Sequence, residues 1–278
     1  TGDSMLRQNG LLLFGTTCRI CRHSENLRQP LKQTDGGLHN GPFRLIRPTR
    51  YEFKMESTRH ILTSFEFALD NLRKDVLLMS SLAMRSLENA KAGLVERDED
   101  KCNTVIADDG EIDDLEIRVD NEGIEIMMRF QPFASDLRNV IAAMKTSVNL
   151  ERAADQCVGI ARRVRKLLLH EQIPESLRIE PIFQMAASLF HDAIKAYAES
   201  DIELASTIKA RDKELDALNR EFADALTDLM PQRSDHIRAF IELIFIARSL
   251  ERIGDQAKNI AEDTIYAVSY THLRAHET

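Results

Sequence analysis

One motif occurs twice in this chain, about 100 residues apart. The two copies read LERAADQCVGIAR, from Leu150 to Arg162, and LERIGDQAKNIAE, from Leu250 to Glu262. The residues before them also align, since LRNVIAAMKTSVN matches IRAFIELIFIARS. An internal repeat of this length is too long for a short-period solenoid, and it predicts two copies of one folding unit.

Apolar residues recur at steps of three and four along most of the chain, which is typical of amphipathic helices. Gly and Pro are sparse, at 11 and 7 residues, and this argues against turn-rich β architecture. The predicted fold class is all-α, with two tandem three-helix bundles over residues 55–170 and 171–268. The six predicted helices span about 59–95, 99–129, 136–169, 179–199, 202–229 and 235–267. Asp98, Ser135, Asp201 and Ser234 are predicted to be helix N-caps.

Each half carries two pairs of acidic residues four positions apart, and each pair lies on a predicted helix. This spacing places both carboxylates on one helix face, where like charges repel by a few tenths of a kcal/mol. In the third and sixth helices the pair follows an apolar stripe, so these acids are expected to interrupt a buried face. Unpaired buried carboxylates cost several kcal/mol each, a cost that Arg or Lys neighbours or a metal ion could offset. The pairs are Asp109/Asp113, Glu151/Asp155, Asp212/Asp216 and Glu251/Asp255.

A metal held only by carboxylate oxygens would be Mg²⁺, Ca²⁺, Mn²⁺ or iron rather than structural zinc. Arg152 and Arg252 directly follow Glu151 and Glu251, so they point about 100° away and are poor partners for these acids. A ferritin-like di-iron enzyme would place Glu-x-x-His on facing helices. No Glu in the sequence has a His three residues later. The glycine-rich motifs that bind phosphate groups, G-x-x-x-x-G-K-[ST] and G-x-G-x-x-G, are also absent from the sequence.

The charge is unevenly distributed along the chain. Residues 1–54 carry nine Lys/Arg and four Asp/Glu, whereas residues 55–268 carry 27 and 40. An acidic body of this kind favours cations or a basic protein surface as partners and argues against nucleic acid. No apolar run approaches the ~18 residues that a membrane-spanning helix requires.

The two ends of the chain do not share the helical pattern. Residues 1–54 are predicted to be a disordered or non-native extension, and residues 269–278 a cloning-derived tail. Two of the four cysteines, Cys102 and Cys157, lie outside these ends and are predicted to be isolated thiols, as expected in a reducing cytoplasm. One alternative for the extension is a zinc site, with the ligands Cys18, Cys21, His23 and His39.

Several of these segments together resemble the PhoU family of phosphate-transport regulators: DGEID, DKELD, LERAADQ, LERIGDQAKNIAE and QPFASDLR. The resemblance covers about residues 55–268, although the second half has MPQRSDHIR where the first has QPFASDLR. It implies a pseudo-two-fold axis between the bundles and multinuclear metal clusters, with iron as the first candidate and Mg, Mn or Zn as others. The implied metal ligands are Asp109, Asp113, Glu151, Asp155, Asp212, Asp216, Glu251 and Asp255.

The resemblance further implies a cytoplasmic negative regulator of phosphate uptake and phosphate-regulon signalling, with no catalysis. Such proteins act with the ATPase subunit of the phosphate ABC transporter and with the phosphate-sensing histidine kinase, and a homodimer is expected. Two other interpretations stay open from the residues themselves. One is a carboxylate-bridged metal enzyme, and the other is a purely structural helical adaptor whose acids are solvated.

Overall fold

The computed structural model describes the backbone of residues 55–272 and the side chains of residues 63–269. This part of the chain contains six α-helices and two short 3-10 turns. The helices are α1 Met55–Val95, α2 Glu99–Phe130, α3 Ser135–Leu168, α4 Glu180–Glu199, α5 Ile202–Leu229 and α6 Ile237–His272. The all-α prediction is confirmed. The predicted extension, with its candidate zinc ligands, lies outside the described residues.

The predicted apolar stripes form the core. In α1, Leu72, Val76 and Met79 are fully buried, and the stripe continues through Ala83, Leu87 and Ala90. The stripe of α6 is likewise buried throughout, at Leu243, Ile246, Leu250, Ile253, Ala257 and Ile260. Side chains three and four residues apart share a helix face, so each stripe presents one continuous apolar surface to its neighbours.

Aspartate caps begin α2 and α5, as the sequence predicts. The Asp98 carboxylate accepts hydrogen bonds from the backbone N–H groups of Asp100 and Lys101, at 2.9 and 3.2 Å. The Asp201 carboxylate accepts one from the N–H of Leu204, at 3.0 Å. The predictions for Ser135 and Ser234 are wrong. Helix α3 starts at Ser135 itself, Ser234 lies within a 3-10 turn before α6, and no side chain caps either element.

We expect Asp98→Ala to lower the free energy of unfolding by about 1 kcal/mol, because it leaves the first N–H groups of α2 without their acceptor. Asp201→Ala should have a similar effect on α5. Urea denaturation measures both changes. Asp114→Ala, at an exposed position in the middle of α2, is the control and should cause no comparable loss. Equal stability of Asp98→Ala and the unchanged protein would rule out the cap.

The helices pack as two bundles, α1–α2–α3 and α4–α5–α6, which meet through α3 and α6. These two helices run antiparallel. Contacts pair Arg138 with Ala267, Asn149 with Asn259, and Arg163 with Glu242, so that one number rises as the other falls. The repeat aligns Asn149 with Ser249 and Asn259 with Gly159. The contact between Asn149 and Asn259 therefore has a repeat-related counterpart, since a Cβ built on Gly159 would lie 3.9 Å from the Ser249 hydroxyl. This pairing places a pseudo-two-fold axis between the middle of α3 and the middle of α6.

The last helix is longer than the sequence predicts. Its backbone continues to His272, although the apolar pattern is predicted to end near 267. The predicted tail therefore starts within α6, and residues 273–278 lie outside the described range. No helix in the described part of the chain combines the length and the apolar character needed to cross a membrane.

Candidate metal centres

The acid pairs of α2 and α3 lie close enough to influence one another electrostatically. Burial raises the pKa of Asp109, and the nearby carboxylates of Asp113 and Asp155 raise it further. Two of these three residues belong to α2 and the third to α3, so the structure brings together two pairs that lie about 40 residues apart in the sequence. A raised pKa means that the folded protein disfavours the charged form of Asp109.

A fifth acid, Glu116, lies near the same carboxylates. Burial raises the pKa of Glu151, and the carboxylates of Asp155, Asp113 and Glu116 raise it further. Glu116 follows Asp109 by seven residues, which is two helical turns and therefore the same face of α2. That spacing is the sequence signal that identifies it. We call the five acids Asp109, Asp113, Glu116, Glu151 and Asp155 the first cluster.

No Lys or Arg side chain forms an ion pair with the first cluster in the part of the chain that the structure describes. Arg162 lowers the pKa of Asp109, and Arg152 lowers that of Glu151, but neither guanidinium approaches to ion-pair distance. Arg152 is exposed. The first cluster thus concentrates negative charge without a neutralising side chain.

The pairs of α5 and α6 form the equivalent second cluster, which is Asp212, Asp216, Glu251 and Asp255. Burial raises the pKa of Asp216, and the carboxylates of Asp212 and Asp255 raise it further. Unlike the first cluster, this one has direct partners. The Asn219 amide donates a hydrogen bond to Glu251, and the Lys258 ammonium donates to Asp212 and Asp255 at 2.7 Å each. Neither Asn219 nor Lys258 is predicted from the sequence.

The expected burial of these acids is largely wrong. Asp212 alone is buried among the eight predicted ligands, while Asp113 and Asp155 are exposed and the others are half-buried. The reason lies in a second apolar stripe of α6, formed by Ile237, Ile241 and Ile244, which leads to Glu251 and which the sequence predicts to be buried. Ile241 on that stripe is 40% exposed, so the face lies at the edge of the bundle. The acids other than Asp212 therefore lie at or near the surface rather than in core positions.

The chemistry of the first cluster fits a hard cation such as Mg²⁺, Mn²⁺ or iron, because all its donors are carboxylate oxygens without a competing partner. As the side chains stand, no three His, Cys, Asp or Glu residues in the described range are grouped closely enough to hold one ion. Asp113 and Asp155 are exposed, so their rotation towards a cation would disturb no packing. In the second cluster, Lys258 already forms ion pairs with two of the four carboxylates.

A close approach of α5 and α6 explains why Asp212 is the buried member. A Cβ at position 254 would lie 2.5 Å from a methyl group of Leu215 and 3.3 Å from Oδ1 of Asp212. Gly254 therefore leaves the space in which both side chains fit. Its repeat-equivalent position is Ala154, and Asp109, the equivalent of Asp212, is only half-buried.

We expect Gly254→Ala to lower the free energy of unfolding by about 1–3 kcal/mol through overpacking, because Leu215 is fully buried and has nowhere to move. The control is Gly110→Ala in α2, where an added Cβ meets nothing within 4 Å. That change should raise stability by about 0.5–1 kcal/mol through helix propensity. Thermal melts of both variants test these two predictions. Stabilisation by Gly254→Ala would contradict the close approach of α5 and α6 at this position.

The two cysteines in the described range, Cys102 and Cys157, are buried and unpaired, as predicted. Burial, with the Asp98 carboxylate as the next contribution, raises the pKa of the Cys102 thiol to about 11. Burial also raises the pKa of Cys157, and Asp109 adds to the shift. Because the thiolate is the metal ligand and the nucleophile, neither residue is suited to bind metal.

Apolar side chains are exposed where the start of α1 meets the end of α2. Phe67, Met128 and Phe133 are 66, 71 and 81% exposed. The helix ends are in contact, since the rings of Phe65 and Phe130 lie 5.3 Å apart. Between the two helices is a groove of about 880 Å³, lined by apolar side chains and by polar and charged ones, among them Glu122, Glu125 and Arg129. We call this surface the apolar end of the first bundle.

The sequence matches the PhoU domain twice, at residues 76–164 and 179–264. The two matches confirm the internal repeat and fall on the two bundles. A Pseudomonas putida protein described as a phosphate-specific transport system accessory protein PhoU homolog is 34% identical over 80% of this chain and 87% of its own length. The Escherichia coli K12 protein of that system, PhoU, is 30% identical over 78% of this chain and 90% of its own.

A solved structure has the same architecture. The crystal structure of PhoU from Pseudomonas aeruginosa superposes with a TM-score of 0.72 at 32% sequence identity. The superposition covers 74% of this chain and 99% of that one. Two tandem three-helix bundles are therefore the common fold.

Proposed function

The chain belongs to the PhoU family, and from that membership we propose that it is a negative regulator of phosphate uptake and of phosphate-regulon signalling. The observation that carries the proposal is the double match to the PhoU domain together with relatives described as accessory proteins of the phosphate-specific transport system. In this role the chain acts through protein contacts at the cytoplasmic face of the membrane. Its partners are the ATPase subunit of the phosphate ABC transporter and the phosphate-sensing histidine kinase.

We propose that the protein is not an enzyme. The alternative of a carboxylate-bridged metal enzyme is less well supported, because redox di-iron sites in helical bundles typically include Glu-x-x-His ligands. Neither acidic cluster, as far as the structure describes it, contains a histidine. The clusters are better suited to binding a cation than to driving redox chemistry.

The acidic clusters are proposed to hold metal, with iron as the first candidate and Mg, Mn or Zn as others. Asp109, Asp113, Glu151 and Asp155 would hold it in the first bundle, and Asp212, Asp216, Glu251 and Asp255 in the second. When bound, the metal would supply positive charge between carboxylates that otherwise repel each other. The carboxylates of α2 and α3, or of α5 and α6, would then fix the angle between their helices. The relative position of the helix surfaces would follow from that angle.

The apolar end of the first bundle is the surface that we propose for partner contact. Clustered exposed apolar side chains are typical of protein-binding surfaces. Phe133 lies on the turn between α2 and α3, and Met128 lies on the last turn of α2, so both are next to the helices that carry the first cluster. A second copy of the chain, forming the expected homodimer, is an alternative occupant of this surface.

Affinity purification from the native cell tests both the partners and the surface. The full chain should co-purify with the transporter ATPase subunit and the sensor kinase. Phe133→Ser with Met128→Ser should reduce that recovery. The matched control is Leu169→Ser, which changes a side chain with the same 81% exposure at the other end of α3. Recovery of neither partner by the unchanged chain would contradict the proposed function, and equal recovery by both variants would contradict the surface.

A further inference from the structure

One lysine bridges the second cluster. The Lys258 ammonium on α6 lies 2.7 Å from Oδ2 of Asp212 on α5 and 2.7 Å from Oδ1 of Asp255 on its own helix. A single positive charge thus connects two of the four proposed ligands and joins the two helices. An ammonium at this distance from two carboxylates supplies positive charge that a metal cation would otherwise supply.

The first cluster lacks this lysine. The two copies of the repeated motif align Lys258 with Val158, which is buried and carries no charge. The first cluster also lacks an equivalent of the Asn219 amide, because the alignment of DGEID with DKELD places Glu116 at that position. The first cluster therefore has five carboxylates and no ion pair among the described residues. The second has four carboxylates and one ammonium.

The burial of Asp212 explains why the second cluster contains a cation of its own. The Asp212 side chain is only 5% exposed, and its Oδ1 has no hydrogen-bond partner. A buried carboxylate without compensation strongly destabilises a fold, whereas one that is paired and hydrogen-bonded is tolerated. Lys258 gives Oδ2 that partner. Its own side chain is 25% exposed, so the ammonium remains connected to solvent.

We propose that Lys258 is a built-in counter-ion of the second cluster, and that it makes the two clusters unequal in metal binding. The first cluster takes a divalent cation readily. The second takes one only after the Lys258 ammonium leaves Asp212 and Asp255 for solvent. This inference rests on the proposed metal-binding role of the clusters. It adds that metal occupancy of the second bundle is the weaker and more reversible of the two.

Coulombic competition is the physical basis. Any divalent cation entering the second cluster must approach Lys258 or displace it, and both cost free energy that the first cluster does not require. Displacement is feasible because a lysine stem is flexible and its ammonium is readily hydrated. Once it is displaced, a cation would find the two oxygens of Asp212 beside those of Asp255.

The test compares Lys258→Met, which removes the charge but keeps the stem, with the unchanged full chain. The matched control is Lys145→Met, because Lys145 also bridges two helices through an ion pair, with Asp263 at 2.9 Å, but touches neither cluster. In metal-free protein, Lys258→Met should lower the melting temperature more than Lys145→Met does. Lys258→Arg, which keeps the charge, should remain close to the unchanged protein and serves as the variant to analyse if Lys258→Met does not fold.

Calorimetric titration with Mn²⁺ alone gives the second readout. The unchanged chain should bind Mn²⁺ in a tight class and a weak class, and Lys258→Met should tighten only the weak class, by about tenfold or more. Mn²⁺ should then restore the melting temperature of Lys258→Met. Two equal classes in the unchanged chain, or a weak class that Lys258→Met leaves unmoved, would overturn the inference while leaving the proposed metal role intact.

Different results would contradict the metal-binding role of the clusters and the counter-ion role of Lys258. If no variant binds Mn²⁺, the proposed metal role is wrong, and the unequal metal affinities fall with it. If Lys258→Met is no less stable than Lys145→Met in metal-free protein, Lys258 is not a counter-ion of the second cluster, whatever the metal titration gives.

Discussion

Leu150→Ala and Leu250→Ala should each lower the free energy of unfolding by about 2–5 kcal/mol. Both leucines are fully buried. They occupy equivalent positions near the middle of α3 and α6 and belong to the hydrophobic core. The loss combines the transfer free energy of the removed methyl groups with the cavity that remains, since the close-packed neighbours relax into it only in part.

Urea denaturation monitored by circular dichroism measures this effect. Leu169→Ala is the control, because that side chain is 81% exposed and should change stability by no more than about 0.5 kcal/mol. Similar losses at the two equivalent leucines would agree with the pseudo-two-fold arrangement. A stability change near zero at either one would contradict the burial of these leucines in the core.

Glu151→Gln combined with Asp155→Asn should weaken the tight Mn²⁺ class by about 100-fold or more, because hard cations bind according to the number of charged oxygen ligands. The amides keep the shape of the side chains and remove their charge. Without metal, the same variant should melt at a higher temperature than the unchanged chain, since like charges one helical turn apart destabilise by a few tenths of a kcal/mol.

The repeat provides the control for this prediction. Glu251→Gln with Asp255→Asn makes the same chemical change in the second cluster, so it should affect the weak class and leave the tight class in place. Calorimetric titration with Mn²⁺ distinguishes the two variants. If the first variant retains the tight class, the acids of α2 and α3 are solvated side chains and not ligands.

The sequence predicts the fold well because its signals are local and repeated. The stripe through Leu72, Val76 and Met79 has the spacing of a helix face, and the structure buries it. Asp98 and Asp201 sit directly before apolar periodic segments, and both cap their helices. Two copies of one motif also require that the halves fold alike, which two matches to a single domain confirm.

The failures concern features that depend on tertiary structure. Lys258 follows Asp255 by three residues, but only the packing of α5 on α6 brings it to Asp212. Ile241 continues an apolar stripe yet is partly exposed, because apolar atoms form much of any protein surface. Ser135 has the side chain of a cap but lies inside the helix, since the preceding turn places Ala134 at the boundary. None of these follows from spacing along one helix.

Deleting the gene for this chain in its own cell tests the proposed regulation most directly. Phosphate uptake and expression of a phosphate-starvation reporter are measured in excess phosphate, with and without the full chain restored on a plasmid. A negative regulator predicts that both stay high after deletion and fall when the chain returns. Unchanged uptake and a silent reporter in the deletion strain would contradict the account.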